Sequence, residues 1–359
     1  MLSVLKALFL LAAAAAALIL ATAASAPAAG KLPTQGCLGK PTTIVGSARN
    51  DVVIGTDQDD VIAGLGGNDV IVGDQGNDLI CGGAGSDAIL GNEGDDVMEG
   101  GPGNDGINGG TEELSADGDI AVYESAPAPV NANLTTAHAI GDGTDSLTHL
   151  EGLVGSRFAD TLTGTSAALI EFFDGGAGND NLFGLGGVDV FLGDPGNDHI
   201  DGGGSFDVID LSLAQNPVNV NLAAGSAIGF GQDTLVGIEG AAGSPFADVL
   251  RGSSKADLLL GLDGDDRVTG LGGKDELTGD RGNDRIKGGA GGDTLSGNAG
   301  NDRISAGGGP DTLYGMAGND VLAGGPARDF LDGGRGRDRL DGGTGKDVCV
   351  RGEHTIRCP

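Results

Sequence analysis

Aspartate returns every nine residues along most of this chain, and that period restricts the fold more than any other feature. It occupies positions 51, 60, 69, 78, 87, 96 and 105, then 180, 189, 198 and 207. It then holds unbroken register from 248 to 347, at 248, 257, 266, 275, 284, 293, 302, 311, 320, 329, 338 and 347. Two residues after each Asp stands an apolar side chain, as in Ile62, Ile71, Ile80, Ile89, Leu277, Ile286, Leu295 and Ile304. Gly commonly sits two residues before it, as at Gly76, Gly85, Gly282, Gly300 and Gly318. The segments GGAGSDAIL (82–90) and GNAGNDRIS (297–305) give the template G-G-x-G-x-D-x-U-x, with U a large apolar residue.

Nine residues leave room for a tight Gly-rich turn and one strand of about three residues, too short to stand alone. Two units make an 18-residue coil with a strand on each side, U pointing in and its neighbours out. Stacked coils form two parallel sheets around a thin Ile/Leu core. Gly is 72 of 359 residues and aromatics are 3%, so this core must hold Gly-rich turns in place with little apolar bulk. Stacking also sets Asp over Asp at about 4.8 Å. Those ladders repel unless cations lie between the turns. Carboxylate and carbonyl oxygens, with no thiolate or imidazole in the template, select Ca²⁺ over Zn²⁺ or copper, and Mg²⁺ suits them less because it keeps its water.

These repeats resemble the RTX, or haemolysin-type, calcium-binding nonapeptide proteins over about 45–110, 174–207 and 248–350. The resemblance implies an all-β parallel β-roll, a β-solenoid of stacked nonapeptides, here interrupted by two duplicated β-rich inserts. It also implies multiple Ca²⁺ ions held by Asp carboxylates and turn carbonyls, repeat i partnering i+2. Carried onto this sequence, the ligands are Asp69, Asp78, Asp87, Asp96 and Asp105, then Asp180, Asp189 and Asp198. In the last array they are Asp266, Asp275, Asp284, Asp293, Asp302, Asp311, Asp320, Asp338 and Asp347. One edge of that array would stack Asp266, Asp284, Asp302, Asp320 and Asp338, and the opposite edge the alternate set. Arg49, Gln58, Ser205, Lys255 and Ala327 replace the turn Gly before Asp51, Asp60, Asp207, Asp257 and Asp329. These turns are expected to close less tightly.

The chain is laid out as a signal peptide (1–26), a leader segment (27–44), a first array (45–110) and a first insert (111–173). A second array (174–207), a second insert (208–247), a third array (248–350) and a C-terminal cap (351–359) follow. The signal peptide rests on Lys6, an apolar run to about Ala24 and an A-x-A site at Ala24-Ser25-Ala26. An uncleaved anchor is the competing reading. Residues 119–160 and 207–248 align at a constant offset of 88. Their V-N-x-N-L pieces read as short strands, Phe158 and Phe246 as core plugs, and the inserts as wider rungs of the same solenoid. Cys37, Cys81, Cys349 and Cys358 allow three pairings. Pairing within each end is expected, Cys37 with Cys81 and Cys349 with Cys358.

A formal net charge of −32 disfavours nucleic acid and anionic membrane as partners, and no phosphate cradle or basic stripe is found. No insertion into a membrane is expected once the signal is removed, and protein partners are not legible. His138, His149, His199 and His354 are scattered, with no H-E-x-x-H and no G-x-S-x-G elbow. The pairs Asp145/Glu151 and Asp233/Glu239 recur in both inserts and fit turn roles better than an acid/base dyad. The expectation is an exported, secreted or cell-surface, calcium-binding protein without catalytic activity. A surface adhesin or an RTX effector with its own activity are the alternatives.

Overall fold

The computed structural model describes residues 36–110 and 118–358. The expected signal peptide, residues 27–35 of the leader and 111–117 of the first insert lie outside the described residues. The chain divides into two compact units, Met1–Ser205 and Phe206–Pro359. Each is a parallel β-solenoid in which a strand pairs with the one 18 residues on. The single helix among the described residues is a 3₁₀ turn at Leu222–Ala224. No helix there is long and apolar enough to cross a membrane.

In the first unit, one sheet stacks Val53, Ile71, Ile89, Ile107 and Leu147 in register. The facing sheet stacks Ile62, Ile80, Met98, Ala121, Leu153, Phe173 and Phe191. All of these are buried, and the rings of Phe173 and Phe191 stack at 5.1 Å. A second apolar layer lies outside the solenoid. The hairpin Gly36–Cys37 with Lys40–Pro41 brings Cys37 onto outward-facing Leu79, Val97, Ile120, Val122 and Val154. The Cys37–Cys81 disulfide, with a Cα–Cα distance of 5.5 Å, pins it there.

The insert is built differently from a wide rung. Asn131–Asn133, His138–Ile140 and Thr144–Thr148 form an antiparallel meander. Three strands are an odd number, so both outer strands run in the direction of the arrays. Thr144–Thr148 pairs parallel with Gly106–Asn108, and Asn131–Asn133 pairs parallel with Thr161–Thr163. An even number would have set one flank antiparallel to its neighbour. Phe158 and Phe246 are not core plugs. They stand two residues before Asp160 and Asp248, on the outer side of a turn. Phe158 lies against Arg157 and Phe246 is 40% exposed.

The second unit repeats the meander at Asn219–Asn221, Ser226–Ile228 and Gln232–Val236, 88 residues on. Its array stacks Leu250, Val268, Ile286, Ile304, Leu322 and Leu340 in one sheet. Leu259, Leu277, Leu295, Leu313, Leu331 and Cys349 stack in the other. The Cys349–Cys358 disulfide ties down the last strand, His354–Ile356, which pairs with Arg339–Thr344.

One surface feature corrects the sequence reading. The outward neighbours of the U column bring Arg267, Arg285 and Arg303 into direct register. A basic stripe is therefore present. Its members are 18 residues apart in sequence, so no run of basic residues betrays it.

Candidate metal centre

The stacked carboxylates are turned inward. Within the arrays the backbone N–H of one Asp donates to Oδ1 of the Asp 18 residues on, and from Asp160 to Asp180 the step is 20. In the second unit, Asp248, Asp266, Asp284, Asp302, Asp320 and Asp338 form one such stack. Asp257, Asp275, Asp293, Asp311, Asp329 and Asp347 form the other. The first unit holds Asp51, Asp69, Asp87 and Asp105 in one stack. It holds Asp60, Asp78 and Asp96 in a second and Asp160, Asp180 and Asp198 in a third.

The second carboxylate oxygen divides these residues into two classes. In Asp69, Asp78, Asp87, Asp105 and Asp180, Oδ2 is buried and has no hydrogen-bond partner. The same holds for Asp266, Asp275, Asp284, Asp293, Asp302, Asp311, Asp320, Asp329, Asp338 and Asp347. Asp96, Asp189 and Asp198 are buried as well and have further interactions. In the other class a Ser or Thr four residues earlier binds the carboxylate. Thr56 donates its N–H and hydroxyl to Asp60 Oδ2 at 2.9 and 2.8 Å. Ser47 does the same for Asp51. Ser156, Ser244 and Ser253 each donate an N–H to Oδ2 and a hydroxyl to Oδ1 of Asp160, Asp248 and Asp257.

This division reassigns the irregular turns. The turns before Asp51, Asp60 and Asp257 do depart from the pattern, but through their Ser or Thr, which fills the carboxylate's free valence. Asp329 stands apart from them. Its turn keeps left-handed backbone at Ala327, with φ 101°, and its Oδ2 is as buried and unpartnered as that of Asp311.

Two glycines of the template have separate jobs. Gly300 has φ 144°, and a Cβ there would collide with the carbonyl oxygen of Gly282 in the coil before. Gly297, five residues before Asp302, leaves the space its Oδ2 occupies. The sequence reading tied closure of the turn to the first and gave the second no role of its own, although a Gly five residues before the Asp is the more regular signal. Ala306, before Asp311, is an exception.

Several acceptors fall outside the nine-residue register. Asp105 N–H donates to Asp145 Oδ1 at 2.9 Å, and Asp96 N–H to Asp119 Oδ1 at 2.9 Å. Glu151, Glu239 and Glu353 accept from the N–H groups of Asp119, Asp207 and Asp338. Asp145 and Glu151 thus cap the stacks, and Tyr123 OH donates to the other oxygen of Asp145 at 3.2 Å. The G-D-G-T-D turn at 141–145 could have revealed Asp145. Nothing in the sequence marks Glu353. Among the histidines, the Nδ1 atoms of His138 and His149 lie at 3.3 Å from the Asp145 carbonyl and 3.0 Å from Asn108 Oδ1, and the ring of His199 meets Phe183 edge-on.

Burial makes these carboxylates hard to ionise while their second oxygen is unmet. It pushes Asp266 and Asp275 up to about 7, with the neighbouring Asp in each stack adding to the rise against the donated N–H. Asp302, Asp311 and Asp320 are pushed up to about 6 for the same reasons. Asp60 goes the other way. Burial opposes ionisation there, but hydrogen bonds from Thr43 and Thr56 hold it below the ordinary carboxylate value.

Buried unpartnered carboxylate oxygens beside carbonyl-lined turns fit a hard divalent cation. Among the described residues, no three His, Cys, Asp or Glu side chains gather around one point. A cation in these turns therefore takes most of its ligands from backbone carbonyls.

An inward carboxylate ladder on a parallel two-sheet solenoid defines a cation-binding β-roll. A family model for the RTX calcium-binding nonapeptide repeat matches residues 45–80, 82–112, 174–209, 243–277, 278–313 and 314–349. More than half of the chain is covered, and the chain belongs to this family of calcium-binding β-roll proteins. No curated protein matches it.

Proposed function

We propose that this is an exported calcium-binding β-roll whose folding at neutral pH depends on calcium, and that it has no catalytic activity and serves a structural, surface or sequestering role. The observation that carries the reading is the column of buried Oδ2 atoms without a partner, from Asp266 to Asp347. Each is a desolvated acceptor that leaves the fold poorer by roughly 1–3 kcal/mol until something binds it. Ca²⁺ supplies the missing positive charge, and Asp69, Asp78, Asp87, Asp105, Asp180 and the third-array residues would hold it together with turn carbonyls. A ligand bound only by the folded chain stabilises it by mass action. The absence of catalysis is supported by the use of Asp145, Glu151 and Glu239 as backbone acceptors. Export rests on residues 1–26.

Circular dichroism tests the calcium requirement. Calcium-free protein should lose its β signal at neutral pH, regain it with Ca²⁺ and fail to regain it with equal Mg²⁺. An unchanged spectrum in chelator would overturn the reading.

A further inference from the structure

The third array carries a basic face that the calcium ladder does not use. Of the twenty Lys and Arg in the chain, fifteen lie between 251 and 357. Arg267, Arg285 and Arg303 occupy the same outward position on successive strands. Arg251 and Lys287 stand one column over, in line with Thr269 and Ser305. All five basic side chains are exposed, and none forms an ion pair among the described residues. No acidic side chain shares this face over the four strands Val249–Arg251, Arg267–Gly272, Arg285–Ala290 and Arg303–Gly308.

We propose that this face binds a linear anionic polysaccharide, one carrying carboxylate or sulfate groups, laid across the strands. The cations recur along a line at the inter-strand step of about 4.8 Å, which suits a regularly charged extended polymer. Arg offers forked donors to carboxylate or sulfate oxygens. The interleaved Thr269 and Ser305 hydroxyls match sugar hydroxyls. A single-stranded nucleic acid fits less well, because the face offers no aromatic ring for a base to stack on. An anionic membrane fits less well, because Val249, exposed beside Arg251 and in register with Arg267, is the one large apolar side chain in the two columns over these four strands, too little to enter the acyl boundary. The inference leans on the calcium reading for one point only: cations neutralising the buried ladder leave the exposed groups to set the local field, in which the five basic residues outnumber Asp265, the exposed carboxylate in the turn before Arg267 that feels the charge of Arg285.

Binding of dextran sulfate of defined length to the full chain, at saturating Ca²⁺, is the test, with neutral dextran as control. Wild type should bind the sulfated polymer with an affinity that falls as salt rises. The triple variant Arg267→Gln/Arg285→Gln/Arg303→Gln should lose about tenfold or more, with a shallower salt dependence. A control triple, Lys274→Gln/Arg328→Gln/Lys346→Gln, removes the same charge from the turn edge and should stay within about twofold of wild type. Calcium titration of both variants should match wild type, which shows that each is folded. No binding by wild type overturns the proposal, as does an equal loss in the two triples. Tighter Arg-dependent binding to phosphatidylserine vesicles or single-stranded DNA than to dextran sulfate also overturns it. A chain that binds the polymer but not calcium would refute the calcium reading and leave this one standing.

Discussion

The backbone N–H of Asp302 donates to Oδ1 of Asp320 at 2.9 Å, while Oδ2 of Asp320 is buried with no partner. One side chain thus does two jobs. Its first oxygen fixes the register of adjacent coils, and its second is the ligand left over. Position in the stack therefore decides what each Asp contributes.

Asp302→Asn keeps an oxygen for the Asp284 N–H and removes the charge. It should lower calcium stoichiometry and raise the calcium concentration at the folding midpoint. Asp51→Asn, where Ser47 already binds the second oxygen, should leave both unchanged. Calorimetric calcium titration compares the two, and equal losses would mean the carboxylates act only as diffuse charge.

Without calcium, stability should fall as pH rises. Asp266 and Asp275 titrate at about 7 and Asp302 and Asp320 at about 6 in the fold, against 3.8 ordinarily. Between those limits the folded chain holds more protons than the unfolded one, so unfolding becomes easier with each increment of pH. The contribution is complete below 3.8 and lost through 6–7. Dialysed, calcium-free protein should keep its β dichroism near pH 4–5 and lose it towards pH 8. In calcium the midpoint concentration should instead rise as pH falls, because protons compete for the same oxygens. A pH-independent apo spectrum would contradict the raised values.

Gly300→Ala should destabilise the calcium-bound chain by about 1–3 kcal/mol, since φ is 144° and the new Cβ meets the Gly282 carbonyl. Gly308→Ala is the matched control. Its backbone is not left-handed and its nearest neighbour is 4.0 Å away, so the change should stay within about 0.5 kcal/mol. Thermal unfolding in saturating Ca²⁺ measures both.

The disulfides should contribute unequally. Cys37–Cys81 spans 44 residues and Cys349–Cys358 spans 9, so loop entropy assigns them about 4 and about 3 kcal/mol. Paired Cys→Ser variants followed by urea denaturation should reproduce that order. Loss of the first should also raise hydrogen exchange in Leu79–Ala84, whose outer face the hairpin covers.

The sequence by itself determined everything that repeats within nine residues. The Asp and U spacing gave strand positions, the inward column from Leu250 to Leu340, the two-sheet solenoid and the calcium family. The offset of 88 gave the duplicated inserts, and the grouping of Cys gave the disulfides. Tertiary structure alone decided what depends on which residues meet across coils. It joined the N–H of Asp60 to Oδ1 of Asp78 across 18 residues. It brought Asp119 and Asp145 to their stacks across 23 and 40 residues, distances no nine-residue period contains. It turned Phe158 and Phe246 outward and aligned Arg267, Arg285 and Arg303. The reason is physical. A short period fixes backbone conformation locally, whereas the satisfaction of a buried oxygen or the sum of a surface field depends on neighbours a coil or more away, which only the folded stack assembles.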